Sequence, residues 1–401
     1  MDALLNPYTP GAGTPPRELA GREPELRRFE LLLERLSSGR GERGIVLQGL
    51  RGVGKTVLMR EFAERAAERG WGVGRLEVTS DADLRTEMAS MAGAALRQIS
   101  AKARARETLL RAARFVKAFT IRTTEGGAAE ISVDLEAALS EPVGSDIERD
   151  TINLFVEIGA AAAANGTGVV FLIDEMQLLG REDLEAICAA AHRASQDSLP
   201  VAVVGAGLPI LPERLAAAKS YAERLFVFPE LGALEETAAR RAIERPAESA
   251  VEGRPVRYEE RAVDTILRLS ECYPYFIQAY GLQAWNAAPE GDLIRARDAE
   301  SAAEPAREEL DRDFFETRFA RATKAGRRYL AAMADLGDGP YRSTDVAERG
   351  GWRTVMSAGP VRQTLIEKGL IYSPDHGMVD FTVPHFSHFM RRKHPRGSLP
   401  S

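Results

Sequence analysis

Cysteine is almost absent: the 401 residues hold two, Cys188 and Cys272. They stand far apart, each in a helix-like context, which argues against a disulfide framework and for a reducing, cytoplasmic setting. Long apolar runs are missing too. No stretch approaches the ~20 residues that span a bilayer, so no membrane partner is expected. The opening "MDALLNPYTPGAGTPP" lacks a basic n-region and an apolar core, so it is not expected to act as a secretory signal. Histidine is scarce, and His376, His385, His388 and His394 gather near the C-terminus. No cysteine or acidic ligand set accompanies them, so a wing and surface role is expected rather than zinc.

What remains is ordinary globular composition, 44 % hydrophobic and 28 % charged, at a length that suggests two to three structural units. The net charge of −6 is unevenly spread. Phe314 to Ser401 carries 14 Lys+Arg against 8 Asp+Glu, or +6, which leaves −12 for Met1 to Asp313. An acidic body with a basic C-terminal unit makes that unit the candidate for touching an anion or nucleic acid. The plainer alternative is chance asymmetry on solvated helices.

Along the chain, residues 1–16 are rich in Pro, Gly and Thr and read as a flexible arm. A helix follows, with Leu26, Phe29, Leu32, Leu33 and Leu36 at helical spacing. "GIVLQG", a glycine loop, a helix from Lys55 to Arg69 and "VGRLEV" then give strand, loop, helix, strand, the frame of a parallel sheet. Residues 81–148 interrupt that rhythm and read as an insertion. It comprises a basic helix (Arg97, Lys102, Arg104, Arg106, Arg111, Arg114, Lys117) and a hairpin around Gly126–Gly127. After a helix near Thr151–Ala164, "GVVFLIDE" is apolar on both faces, as a central parallel strand requires. A helix from Arg181 to Ser195, the strand "PVAVVGAG" and an edge strand "RLFVFPEL" complete an α/β domain over 17–230. Residues 231–312 are helical, broken by proline near Tyr273–Tyr275. Residues 313–395 read as three helices and a β-hairpin, a winged helix-turn-helix whose third helix carries Arg362 and Lys368 for a DNA groove. Residues 396–401 are a tail, and "RRKHPR" at Arg391–Arg396 reads as solvated and basic. Trp71, Trp285 and Trp352 are assigned to core or domain seams.

"GLRGVGKT", Gly49–Thr56, fits G-x-x-x-x-G-K-[ST] at every fixed position. Glycines let backbone N–H groups close around phosphate oxygens, where a β-carbon would intrude. Gly49, Leu50, Arg51, Gly52, Val53, Gly54, Lys55, Thr56 and Val57 are therefore the expected cradle of a nucleoside triphosphate. Lys55 supplies charge to the β- and γ-phosphates, Thr56 offers its hydroxyl to Mg²⁺, and the helix dipole adds to both. "VVFLIDEMQ" ends a strand in Asp174, which is expected to hold Mg²⁺ through water. Glu175 follows as the base that polarises the attacking water. Gln177 is a candidate orienting side chain, and Arg224 a candidate arginine finger.

With "LAGREPEL", "GLRGVGKT", "FLIDEMQ" and "GAGLP" in this order, the chain resembles the AAA+ ATPases, near the bacterial initiator (origin-recognition) clade and the STAND signalling ATPases. The resemblance implies ATP with Mg²⁺, a five-stranded parallel sheet in order 5-1-4-3-2, a helical lid and a winged helix. It sets Gly21–Arg22–Glu23 near the adenine and Arg224 at the place of a trans-acting finger. "CYPYFIQAY" resembles the lid motif G-x-P, with Cys272 in the glycine position and Pro274 kept. Two departures stand out: the lid motif brings no arginine to the γ-phosphate, and Gly205–Gly207 lacks the usual Asn or Thr. The expectation is slow hydrolysis and a nucleotide-gated switch that controls assembly and duplex DNA engagement through the winged helix. The rivals are a STAND-like switch acting on a protein partner, and an accessory ATPase of a mobile element or defence system. A homo-oligomer is compatible with each.

Overall fold

The computed structural model describes residues 1–11, 13–79, 82–100, 105–121, 146–251 and 254–394. Its centre is a parallel sheet of β1 (Gly44–Gln48), β2 (Gly72–Glu77), β3 (Val169–Asp174), β4 (Val201–Gly207) and β5 (Phe226–Val227). The order is β2-β3-β4-β1-β5, the implied order read from the other edge. β3 and β4 are buried at every position, as strands covered on both faces must be. Gln48 pairs with Gly207 and Glu77 with Asp174, so the carboxyl ends of these strands share one edge. The glycine loop leaves β1 at that edge.

The covering helices are α1 (Glu23–Ser37), α2 (Lys55–Glu68), α3 (Leu84–Ser100), α4 (Arg106–Ile121), α5 (Ile147–Ala164) and α6 (Arg181–Gln196). The apolar stripe of α1 is buried, and Phe29 stacks on Phe62 of α2 at 4.3 Å. α3 and α4 occupy the expected insertion, and they are two helices of the sheet's own cover. A Cβ at Gly72 would lie 2.7 Å from the Ala95 carbonyl of α3, and Leu109, Ala112 and Phe115 of α4 are buried in the same core. Burying these residues outweighs the basic face, where Arg111 pairs with Glu157 at 2.7 Å. Lys102, Arg104 and the hairpin expected around Gly126–Gly127 lie outside the described residues.

Two short helices, α7 (Leu211–Ala218) and α8 (Ala222–Leu225), lead to β5. The lid contains α9 (Glu236–Glu248), α10 (Glu260–Ser270), α11 (Pro274–Ala287) and α12 (Ala296–Glu309), with β6 (Arg257–Tyr258) beside β7 (Leu293–Ile294). Residues 1–11, expected to be flexible, are strapped to this lid. The Tyr8 ring is 1 % exposed, its hydroxyl donates to the Ile243 carbonyl, and Trp285 Nε1 donates to the Asp2 carbonyl at 2.9 Å. One large buried ring suffices to anchor a Pro/Gly-rich segment.

A π-helical stretch, Leu310–Glu316, and a single turn α13 (Thr317–Phe319) lead into the C-terminal unit. That unit holds α14 (Lys324–Asp335), β8 (Tyr341–Arg342), α15 (Ser343–Arg349), α16 (Val355–Glu367), β9 (Ile371–Tyr372), β10 (Met378–Phe381) and α17 (Phe386–Lys393). The strands form an antiparallel sheet in order β8-β10-β9. α17 was not foreseen as a helix. Phe389 stacks on Phe315 at 5.4 Å, while Arg391 pairs with Asp338 at 3.0 Å, and Arg392 and Lys393 pair with Asp311 and Glu316. This part of the supposed basic tail is therefore tied back to the protein, and Arg396 lies outside the described residues. No described helix is long and apolar enough to cross a membrane.

Candidate functional site

The loop between β1 and α2 takes its shape from glycine, though not for one reason alone. Gly52 and Gly54 have φ of 90° and 93°, which L side chains avoid. At Gly49 the constraint is packing: a Cβ there would lie 2.2 Å from the Leu231 carbonyl oxygen. Lys55, 7 % exposed, donates to the Gly49 and Leu50 carbonyls at 2.9 Å each. Burial pushes its pKa down to about 8, against the pull of Glu175 and Asp174. Thr56 Oγ1 donates to Asp174 Oδ2 at 2.6 Å. Burial raises the Asp174 pKa, and the Thr56 bond opposes that rise. A hydroxyl and a carboxylate in contact, beside a phosphate cradle, suit Mg²⁺, which takes few protein oxygens and keeps its waters.

Glu175 sits at φ 52°, one residue beyond β3. Arg51 approaches its two oxygens at 3.5 and 3.2 Å, and Gln177 Nε2 donates to Oε2 at 2.6 Å. Gln177 Oε1 in turn accepts from the Leu208 N–H at 3.1 Å. Gln177 thus fixes Glu175 to the end of β4. Arg22, buried, donates to the Val53 and Gly232 carbonyls at 2.9 and 3.1 Å, which ties the loop to the chain after β5.

The loop opens on a cavity of about 610 Å³, lined by Arg22, Arg51–Val57, Glu175 and Pro274. That size falls within the ~300–1,000 Å³ of small-molecule sites. Other walls come from further away: Thr9–Gly11 of the strap, Tyr275 and Gln278 of the lid, Phe314, Arg318 and Arg321 of the hinge, and Lys368–Leu370 of the C-terminal unit. Tyr275 N–H donates to the Gly52 carbonyl at 3.3 Å, and the Tyr273 hydroxyl donates to that of Arg51. The C-terminal unit also bonds the loop directly, Arg51 N–H to the Thr382 carbonyl at 3.1 Å.

Cys272, in the glycine position of the lid turn, adopts φ 57°. The left-handed backbone explains why that turn favours glycine. Arg224 is apart from the cavity. It is exposed, two residues before Phe226, which pairs with the first residue of β1 at the opposite end of the sheet. Arg224 does not meet the loop of its own chain. Arg362, half-buried, donates to Ser373 Oγ, and Lys368, exposed, donates through Nζ to the Arg321 carbonyl at 2.7 Å, so both are bonded within the chain. His385 pairs with Glu271 at 3.0 Å.

Sequence reasoning missed Arg318, Arg321 and Lys368 as lining of this cavity, since no motif connects them to Gly49–Thr56. The role of Arg51 was nearer to hand, a cation inside the loop facing a strand-end glutamate.

A family described as "AAA ATPase domain" matches residues 18–204, and one described as a domain of unknown function (DUF8462) matches residues 312–390. No curated protein matches the chain in sequence. Among solved structures, the Walker-type ATPase PABY2304 of Pyrococcus abyssi aligns at TM-score 0.52 and 15 % identity, over 94 % of this chain and 97 % of its own. The ORC2 protein of Aeropyrum pernix, in its ADP form, aligns at TM-score 0.51 and 16 % identity, over 96 % and 97 %. At such identity the likeness is one of fold.

Proposed function

We propose, from the match of residues 18–204 to the AAA ATPase domain family, that the chain is a slow, ATP- and Mg²⁺-dependent switch in which bound nucleotide sets the position of the C-terminal unit. One observation carries this reading: the Arg51 N–H of the phosphate loop bonds the Thr382 carbonyl of that unit at 3.1 Å. A change in loop geometry is felt there without an intermediary. Lys55 and the loop amides bind the phosphates, and Thr56 with Asp174 holds Mg²⁺. Glu175 accepts a proton from the attacking water. Its two oxygens are engaged by Arg51 and Gln177, and this competition supports slow turnover. Arg224, outside the cavity, acts only if a second copy receives it.

The three helices α14, α15 and α16 with a three-stranded antiparallel sheet support the winged-helix reading of residues 313–395, to which α17 is added. The engagement of Arg362 by Ser373 and of Lys368 by the Arg321 carbonyl favours a closed switch whose output is a protein partner or a second copy. Duplex DNA is the second reading, supported by the +6 charge of Phe314–Ser401. The test is small-angle scattering with ADP and with a non-hydrolysable triphosphate, beside duplex binding across salt concentrations. The expected result is a nucleotide-dependent change in radius. An unchanged radius overturns the switch, and salt-dependent duplex binding confined to one nucleotide state replaces the protein output with DNA.

A further inference from the structure

The lid helix α11 carries no arginine, so no guanidinium reaches the cavity from it. One arrives from the hinge instead. Arg318 belongs to the single turn α13, directly after the π-helical stretch, and lines the same cavity as Lys55, Thr56 and Glu175. Its guanidinium lies 3.9 Å over the Phe314 ring and donates to the Phe314 carbonyl. Phe314 stacks on Tyr275 at 4.4 Å, and the Tyr275 N–H bonds the Gly52 carbonyl. Two rings therefore connect Arg318 to the phosphate loop.

No carboxylate among the described residues lies within ion-pair reach of this guanidinium, and several charges of the same wall are engaged elsewhere. Arg51 is paired with Glu175 at 3.2 Å, Lys368 is bonded to the Arg321 carbonyl, and Asp313, the nearby acid of the cavity wall, is held by Arg312 at 2.9 Å. Burial, then the like charge of Arg51, and further that of Arg321, bring the Arg318 pKa down to about 10. A half-buried cation without a counter-charge, among like charges, is costly unless an anion completes it. Arg51 is the charge that perturbs it most, and Arg51 is also the partner of Glu175. Arg318 and Glu175 line one cavity, together with the phosphate loop.

We propose that Arg318 binds the terminal phosphate of the nucleoside triphosphate and, through its place on the hinge, reports that phosphate to the C-terminal unit. The inference rests on the nucleotide reading of the cavity and adds a residue that no motif assigns. ADP, which lacks that phosphate, leaves Arg318 uncompleted.

The test uses full-length protein, with calorimetric affinities for ADP and for the imido analogue of ATP, each with Mg²⁺. Arg318→Ala is expected to weaken the analogue by about 10- to 100-fold, the worth of a charge-assisted bond, and to change ADP by less than about threefold. Arg318→Lys should recover part of the loss, because charge is kept while the fork is not. The analogue-induced change in scattering radius should vanish in Arg318→Ala. An equal loss for both nucleotides, or no loss, overturns the assignment. A persisting radius change overturns the reporting role. Wild-type protein that binds neither nucleotide overturns the reading of the cavity itself, a different failure from selective loss. Arg318→Lys gives the same discrimination if the alanine variant does not fold, since a preserved preference for the analogue supports the role of the charge and its absence refutes it.

Discussion

The floor and the roof of the nucleotide cavity are built in opposite ways. The floor comes from Arg51–Val57 and Glu175, which closely follow the ends of two buried parallel strands. The roof comes from the strap, lid, hinge and C-terminal unit, brought together by single contacts such as Tyr275 N–H to Gly52 and Arg51 N–H to Thr382. A floor of continuous backbone on a rigid sheet is suited to holding a ligand. A roof of separate parts is suited to moving when the ligand changes.

The largest effect expected from breaking the floor is that of Lys55→Ala. Loss of a buried cation beside the phosphates should weaken ATP by at least about 100-fold in calorimetry. An unchanged affinity would place the nucleotide elsewhere. The next effect sharpens the division, because Arg51 is the side chain that joins the loop to Glu175. Arg51→Ala removes the competitor at Glu175 while its backbone bond to Thr382 remains. Phosphate release should rise about tenfold, a fraction of the ~10²–10⁴ that a general base is worth. A lower rate would show that Arg51 assists rather than restrains.

The smallest effect concerns pH. The floor needs the Lys55 ammonium, and burial has brought its pKa down to about 8. ATP bound as proposed would select the protonated form, so affinity should be nearly full below pH 7 and fall as pH rises through that value. Between pH 8 and pH 9 the protonated fraction drops from one half to about one tenth, so binding should weaken about fivefold. Lys55→Arg, which does not titrate there, should lose this dependence, and a flat profile in the wild type would show that Lys55 stays charged.

The same division decides what could be read from sequence. β3 is buried throughout, so its composition alone announces a central strand, and its last residue, Asp174, lands at the loop's edge by topology. Gly52 and Gly54 sit at positive φ, which glycine advertises. Nothing in residues 1–16 announces that Tyr8 would bury its ring in the lid, because composition averages over the one side chain that anchors the segment. The basic character of α4 similarly concealed the buried Leu109 and Phe115 on its other face. Arg318 was invisible for a third reason. It lines the cavity of Lys55 only because the fold brings residue 318 to that wall, and no local pattern records a juxtaposition of that range.

The π-helical stretch Leu310–Glu316 gives the hinge its pitch. A π turn uses about one residue more than an α turn, so it sets the angular phase of all that follows. Deleting one residue would let it close as α helix with that phase kept, whereas returning all of its residues to α geometry would rotate the next turn by roughly 100°. The side chain of Arg318 would then swing away from the phosphates while the fold on either side stayed intact. The hinge is thus a vernier, in which the count of residues, more than their identity, aims the charge.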